Sequence, residues 1–181
     1  MSSHSANPAQ RIDEWFDRLG LPVDYAERFQ LKPIPEADAL VEIGQDIHGR
    51  VQRLLPETAT AWAAMVEAAR ADGIKLEVVS AYRSIDYQAG LIEKKIAQGL
   101  GLDEILKASA APGFSEHHSG RAVDITTPNT PALEQGFAHT QAYAWLKSHA
   151  QAFDFVESYG PNNRHGLIWE PWHWAHAPFL I

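Results

Sequence analysis

Apolar residues in the first half of the chain follow the spacing of amphipathic helices. Residues 11–20 place four apolar side chains on one face of a short predicted helix. Residues 56–72 repeat the i, i+3, i+4, i+7 spacing and end before a glycine, which predicts a longer helix. Ser84 can serve as the N-cap of a third helix that runs to about residue 98, and Thr140 can cap a fourth.

Short runs rich in β-branched and aromatic residues predict strands at residues 75–81, 121–125, 153–159 and 167–174. Because helices come first and strands cluster late, the order favours an α+β fold. Residues 21–40 contain three prolines and are predicted to be irregular. We predict a flexible N-terminal tail at residues 1–10. Residues 11–181 are predicted to form one small single domain, with helices packed on a central antiparallel sheet.

Composition limits the functions open to this chain. A length of 181 residues suits one domain with a real core, and the 45% hydrophobic and 21% charged fractions are typical of a globular protein. The net charge of −8 argues against a nucleic-acid partner, whose phosphates would be repelled. There is no cysteine, so a metal site must be built from histidine and carboxylate ligands.

No apolar run approaches the ~20 residues that a membrane helix needs. The first ten residues lack the basic-then-apolar pattern of a secretory signal. The sequence as given therefore predicts a cytoplasmic protein, which we expect to be a monomer. The alternative is a periplasmic protein whose signal sequence lies outside the given chain.

Two segments carry the candidate chemistry, S-E-H-H-S-G-R-A-V-D at residues 115–124 and E-P-W-H-W at residues 170–174. The first places His117 seven residues before Asp124, and the second contains Glu170 and His173. Two imidazoles and one carboxylate are a plausible set of three zinc ligands, and three ligands leave a fourth position open for water. The remaining carboxylate, Glu170, can then act as a base. Hydrolysis is the leading hypothesis.

Each of these residues has a competing interpretation. His118 is a rival ligand, because only one of two adjacent side chains usually points at a given site. On a regular strand, Glu170 and His173 would face opposite sides, so a shared site requires a twist or bulge near Pro171. The segment can instead be a hydrophobic edge strand with two core tryptophans.

Arg83 lies at the end of a predicted strand, just before a helix. A guanidinium there can hold a carboxylate or stabilise a developing oxyanion. The alternative for a single arginine is a surface salt bridge.

Three ordered motifs resemble those of the zinc D-Ala-D-Ala carboxypeptidase family, the VanY-type or LAS-type peptidoglycan peptidases. The family pattern S-x-H-x-x-G-x-A-x-D is matched by residues 115–124, and E-x-W-H by residues 170–173. A third pattern, S-x-Y-R-S with a glutamine five residues after the arginine, is matched by Ser80, Tyr82, Arg83, Ser84 and Gln88. The matches span residues 80–174, about half of the chain.

The resemblance implies a role for each matched residue. It implies one Zn²⁺ ion held by His117, Asp124 and His173, with His118 outside the ligand set. It implies Glu170 as the general base and Arg83 as the electrophilic group. Ser115 and Gln88 would contact the substrate, and Arg83 would also bind it. The implied fold is a small α+β domain whose antiparallel sheet forms the floor of a zinc cleft.

The implied function is zinc-dependent hydrolysis of the terminal D-Ala-D-Ala bond of peptidoglycan peptides or precursors, a D,D-carboxypeptidase activity. Alternatives with the same chemistry are an L,D-carboxypeptidase, a D,D-dipeptidase and an endolysin-like peptidoglycan endopeptidase. An alternative of another class is a zinc-binding module without turnover. The presence of both Glu170 and Arg83 favours an enzyme.

Overall fold

The computed structural model describes residues 7–177 of the chain. Six α-helices are present among them: α1 (Pro8–Leu19), α2 (Tyr25–Arg28), α3 (Pro56–Ala71), α4 (Ile85–Ala97), α5 (Leu102–Ala108) and α6 (Gln141–His149). The strands are β1 (Val41–Gln45), β2 (Val51–Leu54), β3 (Glu77–Ser80), β4 (Ala122–Thr126), β5 (Phe155–Glu157) and β6 (His173–His176). Short 3-10 helices occupy Glu116–Ser119, Gln135–His139 and Ala150–Phe153.

The strands form two antiparallel sheets. β1 and β2 make a hairpin, and the other four strands form a sheet in the order β3-β4-β6-β5. The two central strands, β4 and β6, are buried along their whole length. This arrangement confirms the predicted α+β fold, a small single domain with helices packed on a central antiparallel sheet.

The predicted helix caps are confirmed. Ser84 Oγ accepts a hydrogen bond from the backbone N–H of Tyr87 at 3.0 Å, and α4 begins at the next residue. Thr140 Oγ1 accepts from Tyr143 N at 3.1 Å at the start of α6. Each hydroxyl satisfies a backbone N–H that has no partner within its helix.

Two hydrophobic clusters hold the sheet and the N-terminal region in place. The main core joins α3 and α6 to the four-stranded sheet through Trp62, Met65, Val123, Leu146 and Trp174, among others. The second cluster surrounds the buried ring of Tyr25 and includes α1, α2 and Phe114. The Tyr25 hydroxyl accepts from Ala111 N at 3.0 Å, so this cluster fixes the loop that precedes residue 115.

The structure differs from the sequence prediction at four places. Helix α2 lies within residues 21–40, which were predicted to be irregular; the three prolines of this segment, at positions 22, 33 and 35, flank the helix and do not interrupt it. The predicted strand at 167–174 is wrong for residues 167–172, which are irregular, and the strand runs from His173 to His176. The β1–β2 hairpin was not predicted. Helix α1 begins at Pro8, and residues 1–6 of the predicted tail lie outside the described residues.

Within residues 7–177, no helix is both long enough and apolar enough to cross a bilayer.

Candidate active site

The candidate metal ligands meet on the four-stranded sheet. Asp124 on β4 and His173 on β6 are paired directly in the antiparallel register, so their side chains lie on the same face. His117 reaches them from the 3-10 helix that precedes β4. One ligand atom from each of the three residues lies within 4.8 Å of the other two, and all three side chains are buried.

His117 enters this cluster through a bend at Gly120, whose φ of +67° is unfavourable for other residues. A Cβ at Gly120 would lie 3.2 Å from the backbone nitrogen of Leu55 and 3.0 Å from a methyl carbon of Leu40. The S-x-H-x-x-G pattern therefore requires glycine at position 120 for a steric reason, because the chain passes close to the end of β2 at this point.

The ring of His117 is oriented by the backbone. Its Nδ1 donates to the carbonyl of Ala81 at 2.5 Å, which leaves Nε2 facing Asp124 Oδ2 at 3.2 Å. Nε2 is buried and has no hydrogen-bond partner of adequate geometry among residues 7–177. Burial lowers the pKa of His117 to about 4, so the ring is neutral at pH 7. A buried, neutral nitrogen without a partner is what a metal ligand requires.

His173 is held between two carboxylates. Its Nε2 donates to Glu116 Oε2 at 2.8 Å, and its Nδ1 lies 3.0 Å from Asp124 Oδ1. Burial opposes a charged ring, but the hydrogen bonds to Asp124 and Glu116 prevail and raise the pKa of His173 to about 10. The pKa of Asp124 is lowered despite its burial, because His117, His173 and Arg83 surround it.

These residues fit a divalent metal ion of the zinc type. Each imidazole has one nitrogen turned to Asp124 and the other bound to a carbonyl or carboxylate, as is usual for histidines that bind metals. Three protein ligands leave a coordination position open, the property of catalytic zinc sites. His118 is turned away, since its Nδ1 donates to the Arg83 carbonyl at 2.7 Å and its Nε2 accepts from Gly113 N at 3.1 Å.

Glu170 shares the site because the chain turns between it and His173. The N–H of His173 donates to the Glu170 carbonyl at 2.9 Å, which closes a turn with Pro171 at its second position. Because Glu170 lies in this turn and not in the strand, the alternation of side chains along a strand does not place Glu170 and His173 on opposite faces. Burial raises the pKa of Glu170 to about 7, a value suited to a general base at neutral pH.

Arg83 faces the same cluster instead of forming a surface salt bridge. Its NH2 group lies 3.7 Å from Asp124 Oδ2, and its Nε is buried without a hydrogen-bond partner in the described part of the chain. Its backbone is fixed on both sides, since its N–H donates to the His117 carbonyl at 3.2 Å and its carbonyl accepts from His118. The guanidinium thus retains donors for a ligand.

One known protein family matches most of this chain. The model of the D-alanyl-D-alanine carboxypeptidase family, VanY, matches residues 51–179. The chain belongs to this family. A D-alanyl-D-alanine carboxypeptidase of Enterococcus faecalis is 30% identical over 123 residues, which cover 62% of this chain and 44% of that protein. The chain spans less than half the length of the curated relatives it matches.

Solved structures of VanY-type proteins agree with the fold. The LD-carboxypeptidase LdcB has a TM-score of 0.69 and 30% sequence identity, covering 78% of this chain and 69% of that chain. A vancomycin-resistance D,D-pentapeptidase VanY, solved in complex with Zn(II), has a TM-score of 0.64 and 28% identity, covering 80% of this chain and 83% of that chain.

The VanY-type site of this chain opens into a cleft of about 300 Å³. All seven residues predicted from the sequence line it: Arg83, Gln88, Ser115, His117, Asp124, Glu170 and His173. Gln88 is buried, with its Nε2 donating to the Ala110 carbonyl at 2.7 Å and its Oε1 without a partner among the described residues. Ser115 is also buried.

Sequence reasoning missed three residues at this site. Glu116 stands beside His117 in the motif, but its bond to His173 spans 57 residues and has no local signal. Tyr159 packs its ring 4.9 Å from that of His173, and burial raises its pKa well above the ordinary value. Lys95 lines the cleft from α4; its position two turns after Gln88 was the available signal.

Proposed function

We propose that the protein is a zinc-dependent metallopeptidase that hydrolyses the terminal D-Ala-D-Ala bond of peptidoglycan peptides or precursors. The observation that carries the proposal is the buried His117, Asp124 and His173 cluster with Glu170 beside it in one cleft. Membership of the VanY family and the zinc complex of a related VanY support the same reading.

The residues that would hold one Zn²⁺ ion are His117 through Nε2, His173 through Nδ1 and Asp124 through a carboxylate oxygen. Zinc bound there supplies Lewis acidity, which lowers the pKa of a bound water and polarises a peptide carbonyl. Glu116 keeps the His173 ring in the orientation that presents Nδ1, and the Ala81 carbonyl does the same for Nε2 of His117.

We assign both proton transfers of the reaction to Glu170. Its carboxylate takes a proton from the attacking water and then gives it to the leaving amine, so the peptide C–N bond breaks without releasing a free amide anion. The raised pKa of Glu170 suits both steps, since the group must accept and then donate near neutral pH. With a divalent cation bound beside it, Glu170 would more readily be in its basic form before attack.

We assign to Arg83 the stabilisation of the negative charge that develops on the carbonyl oxygen. Its guanidinium lies on the Asp124 side of the cluster and has a buried Nε without a partner. Gln88 and Ser115 are assigned to the substrate. The unpartnered Oε1 of Gln88 is an acceptor for a peptide N–H, and the Ser115 hydroxyl can donate or accept.

A second candidate is L,D-carboxypeptidase activity. The LD-carboxypeptidase LdcB matches this chain with a higher TM-score than the zinc-bound VanY, 0.69 against 0.64. Both activities use the same metal, base and arginine, so the stereochemical choice depends on the walls of the cleft. A D,D-dipeptidase or an endopeptidase would also share this centre. A binding module without turnover is disfavoured because Glu170 and Arg83 both line the cleft.

The test is a panel of substrates treated with zinc-loaded and chelated protein. The panel holds a muramyl pentapeptide ending in D-Ala-D-Ala, the corresponding tetrapeptide and free D-Ala-D-Ala. We expect chelator-sensitive release of one D-Ala from the pentapeptide. Cleavage of the tetrapeptide alone would establish the L,D activity, and cleavage of the dipeptide alone would establish a dipeptidase. Zinc binding without cleavage of any of the three would contradict the proposal.

Two further proposals concern the protein as a whole. We propose that it is monomeric, which light scattering at several concentrations will test. We propose a cytoplasmic location, with the periplasm as the alternative, which fractionation of cells producing the native gene product will decide.

A further inference from the structure

A lysine shares the cleft with the metal-site residues. Lys95 and Gln88 lie seven residues apart on α4, so they occupy the same face two turns from each other. Both line the cleft. Helical side chains lean toward the N-terminus of their helix, and the long Lys95 side chain therefore runs back toward Gln88.

The polar ends of these two side chains are held by one short segment. Lys95 Nζ donates to Ser109 Oγ at 2.6 Å, and Gln88 Nε2 donates to the carbonyl of Ala110 at 2.7 Å. Because Ser109 and Ala110 are consecutive, one short segment positions both the ammonium and the amide that line the cleft. Ser109 accepts from one of the three N–H donors of the ammonium, and no other acceptor among residues 7–177 bonds to it.

The Lys95 charge has no counter-ion in the described part of the chain. No carboxylate among residues 7–177 lies within ion-pair distance of its Nζ, although the whole protein carries a net charge of −8. Burial lowers the pKa of Lys95, and the nearby positive charge of Arg83 lowers it further, while the negative charge of Glu170 opposes this shift only in part. A half-buried cation beside another cation is unfavourable without a ligand, and an anion in the cleft would remove that cost.

The surroundings of Lys95 indicate which part of a substrate it meets. Glu170 is within electrostatic range of Lys95 and, on the proposed mechanism, protonates the leaving amine. The leaving residue therefore occupies the side of the cleft that Glu170 and Lys95 share. The cleft is otherwise lined largely by apolar side chains, among them Leu91, Ala108, Leu133, Leu167 and Ile168. Such a lining suits a small apolar side chain.

We propose that Lys95, steadied by Ser109, binds the free α-carboxylate of the residue that is released, so that the enzyme selects peptides with a free C-terminus. This inference rests on the proposed peptidase function and deepens it, because it separates release of a terminal residue from cleavage within a chain. Lys95 acts as a specificity residue and takes no part in proton transfer.

The test measures binding, so that it does not depend on turnover. The protein is the zinc-loaded Glu170→Gln variant, with or without Lys95→Met, and binding is followed by calorimetry. Three probes are compared: N-acetyl-D-Ala-D-Ala, its C-terminal amide, and N-acetyl-D-Ala-D-Asp α-amide, whose only carboxylate is on a side chain. The matched control is Lys94→Met, which removes the same charge from an exposed neighbour on α4.

With Lys95 present, we expect the free acid to bind about 10- to 100-fold more tightly than the amide, the range of a charge-assisted hydrogen bond. Lys95→Met should remove most of this preference by weakening the acid alone. Lys95→Arg should keep part of it, and Lys94→Met all of it. The aspartyl α-amide should bind like the alanine amide.

Several results would overturn the inference. They are an unchanged acid preference in Lys95→Met, an equal loss in Lys94→Met, tight binding of the aspartyl α-amide, or no measurable binding of the acid. The proposed function fails separately, if protein with Glu170 intact and zinc bound cleaves none of the three substrates of the panel above. A retained zinc content and circular-dichroism spectrum will show that Lys95→Met is folded.

Discussion

Zinc binding should release a proton from His173, and the affinity for zinc should therefore rise steeply with pH. In the metal-free protein at pH 7, burial keeps His117 neutral with a pKa of about 4, whereas Asp124 and Glu116 keep His173 protonated with a pKa of about 10. Zinc needs the lone pair on Nδ1 of His173, so one proton must leave.

The size of the effect follows from these pKa values. Between about pH 5 and pH 9 the apparent affinity should rise about tenfold per pH unit, since one proton competes with the metal throughout that range. From pH 6 to pH 8 the gain is about 100-fold, or about 2.7 kcal/mol.

The assay is competition with a chelating dye at pH 6, 7 and 8, corrected for the dye's own titration. The Glu170→Gln background is used because Glu170, with its pKa raised to about 7, would contribute a further fraction of a proton. Calorimetry in two buffers of different ionisation enthalpy then counts the protons released. About one is expected, and a count near zero with a flat affinity would refute a protonated His173 in the metal-free site.

Three further predictions concern single residues. Glu170→Gln should retain zinc but lose about 10²- to 10⁴-fold in turnover, measured by D-Ala release; near-normal turnover would make the base assignment wrong. Glu116→Ala should weaken zinc binding about 10- to 100-fold in dye competition, once the affinities of both proteins are corrected for proton competition at His173, because His173 loses the acceptor that orients it; an unchanged corrected affinity would contradict this. Gly120→Ala should lower the free energy of unfolding by about 1–3 kcal/mol in urea, because its φ is +67° and its surroundings are tight. Gly90→Ala, in an open helical position, should not destabilise, and equal losses at both glycines would refute the steric argument.

Four of the six helices among residues 7–177, and the caps of two of them, could be predicted from local sequence. Ser84 and Thr140 each precede an apolar helical pattern, and each hydroxyl makes the expected cap in the structure. A cap depends on residues within three positions of each other, so it can be recognised in the sequence without knowledge of the tertiary fold.

The β1–β2 hairpin could not be predicted in the same way. Four of the five residues of β1 are exposed, so the strand lacks the apolar alternation that marks a half-buried strand. The incorrect strand prediction at residues 167–172 has the opposite cause, because there the local sequence favours a strand that does not form. Ile168 and Trp169 have high β-propensity, but the segment packs as irregular chain and turns at Pro171.

The site residues that belong to a sequence motif could be predicted. The contacts between distant parts of the chain could not. The motif residues all line one cleft, as the resemblance implied. The contact of Glu116 with His173 depends on the register of β4 and β6, which local sequence does not specify. Lys95 on α4 contacts Ser109 at the end of α5, 14 residues later, and the sequence signal for its place in the cleft was only its spacing of two helical turns from Gln88.

The most direct test of the account is the rate of D-Ala release from the muramyl pentapeptide before chelation, after chelation, and during stepwise return of zinc. We expect chelation to abolish release and one equivalent of zinc per chain to restore it in full. Release that persists in the chelated protein would contradict a zinc-dependent centre at His117, Asp124 and His173. A requirement for more than one equivalent would contradict a single-ion site.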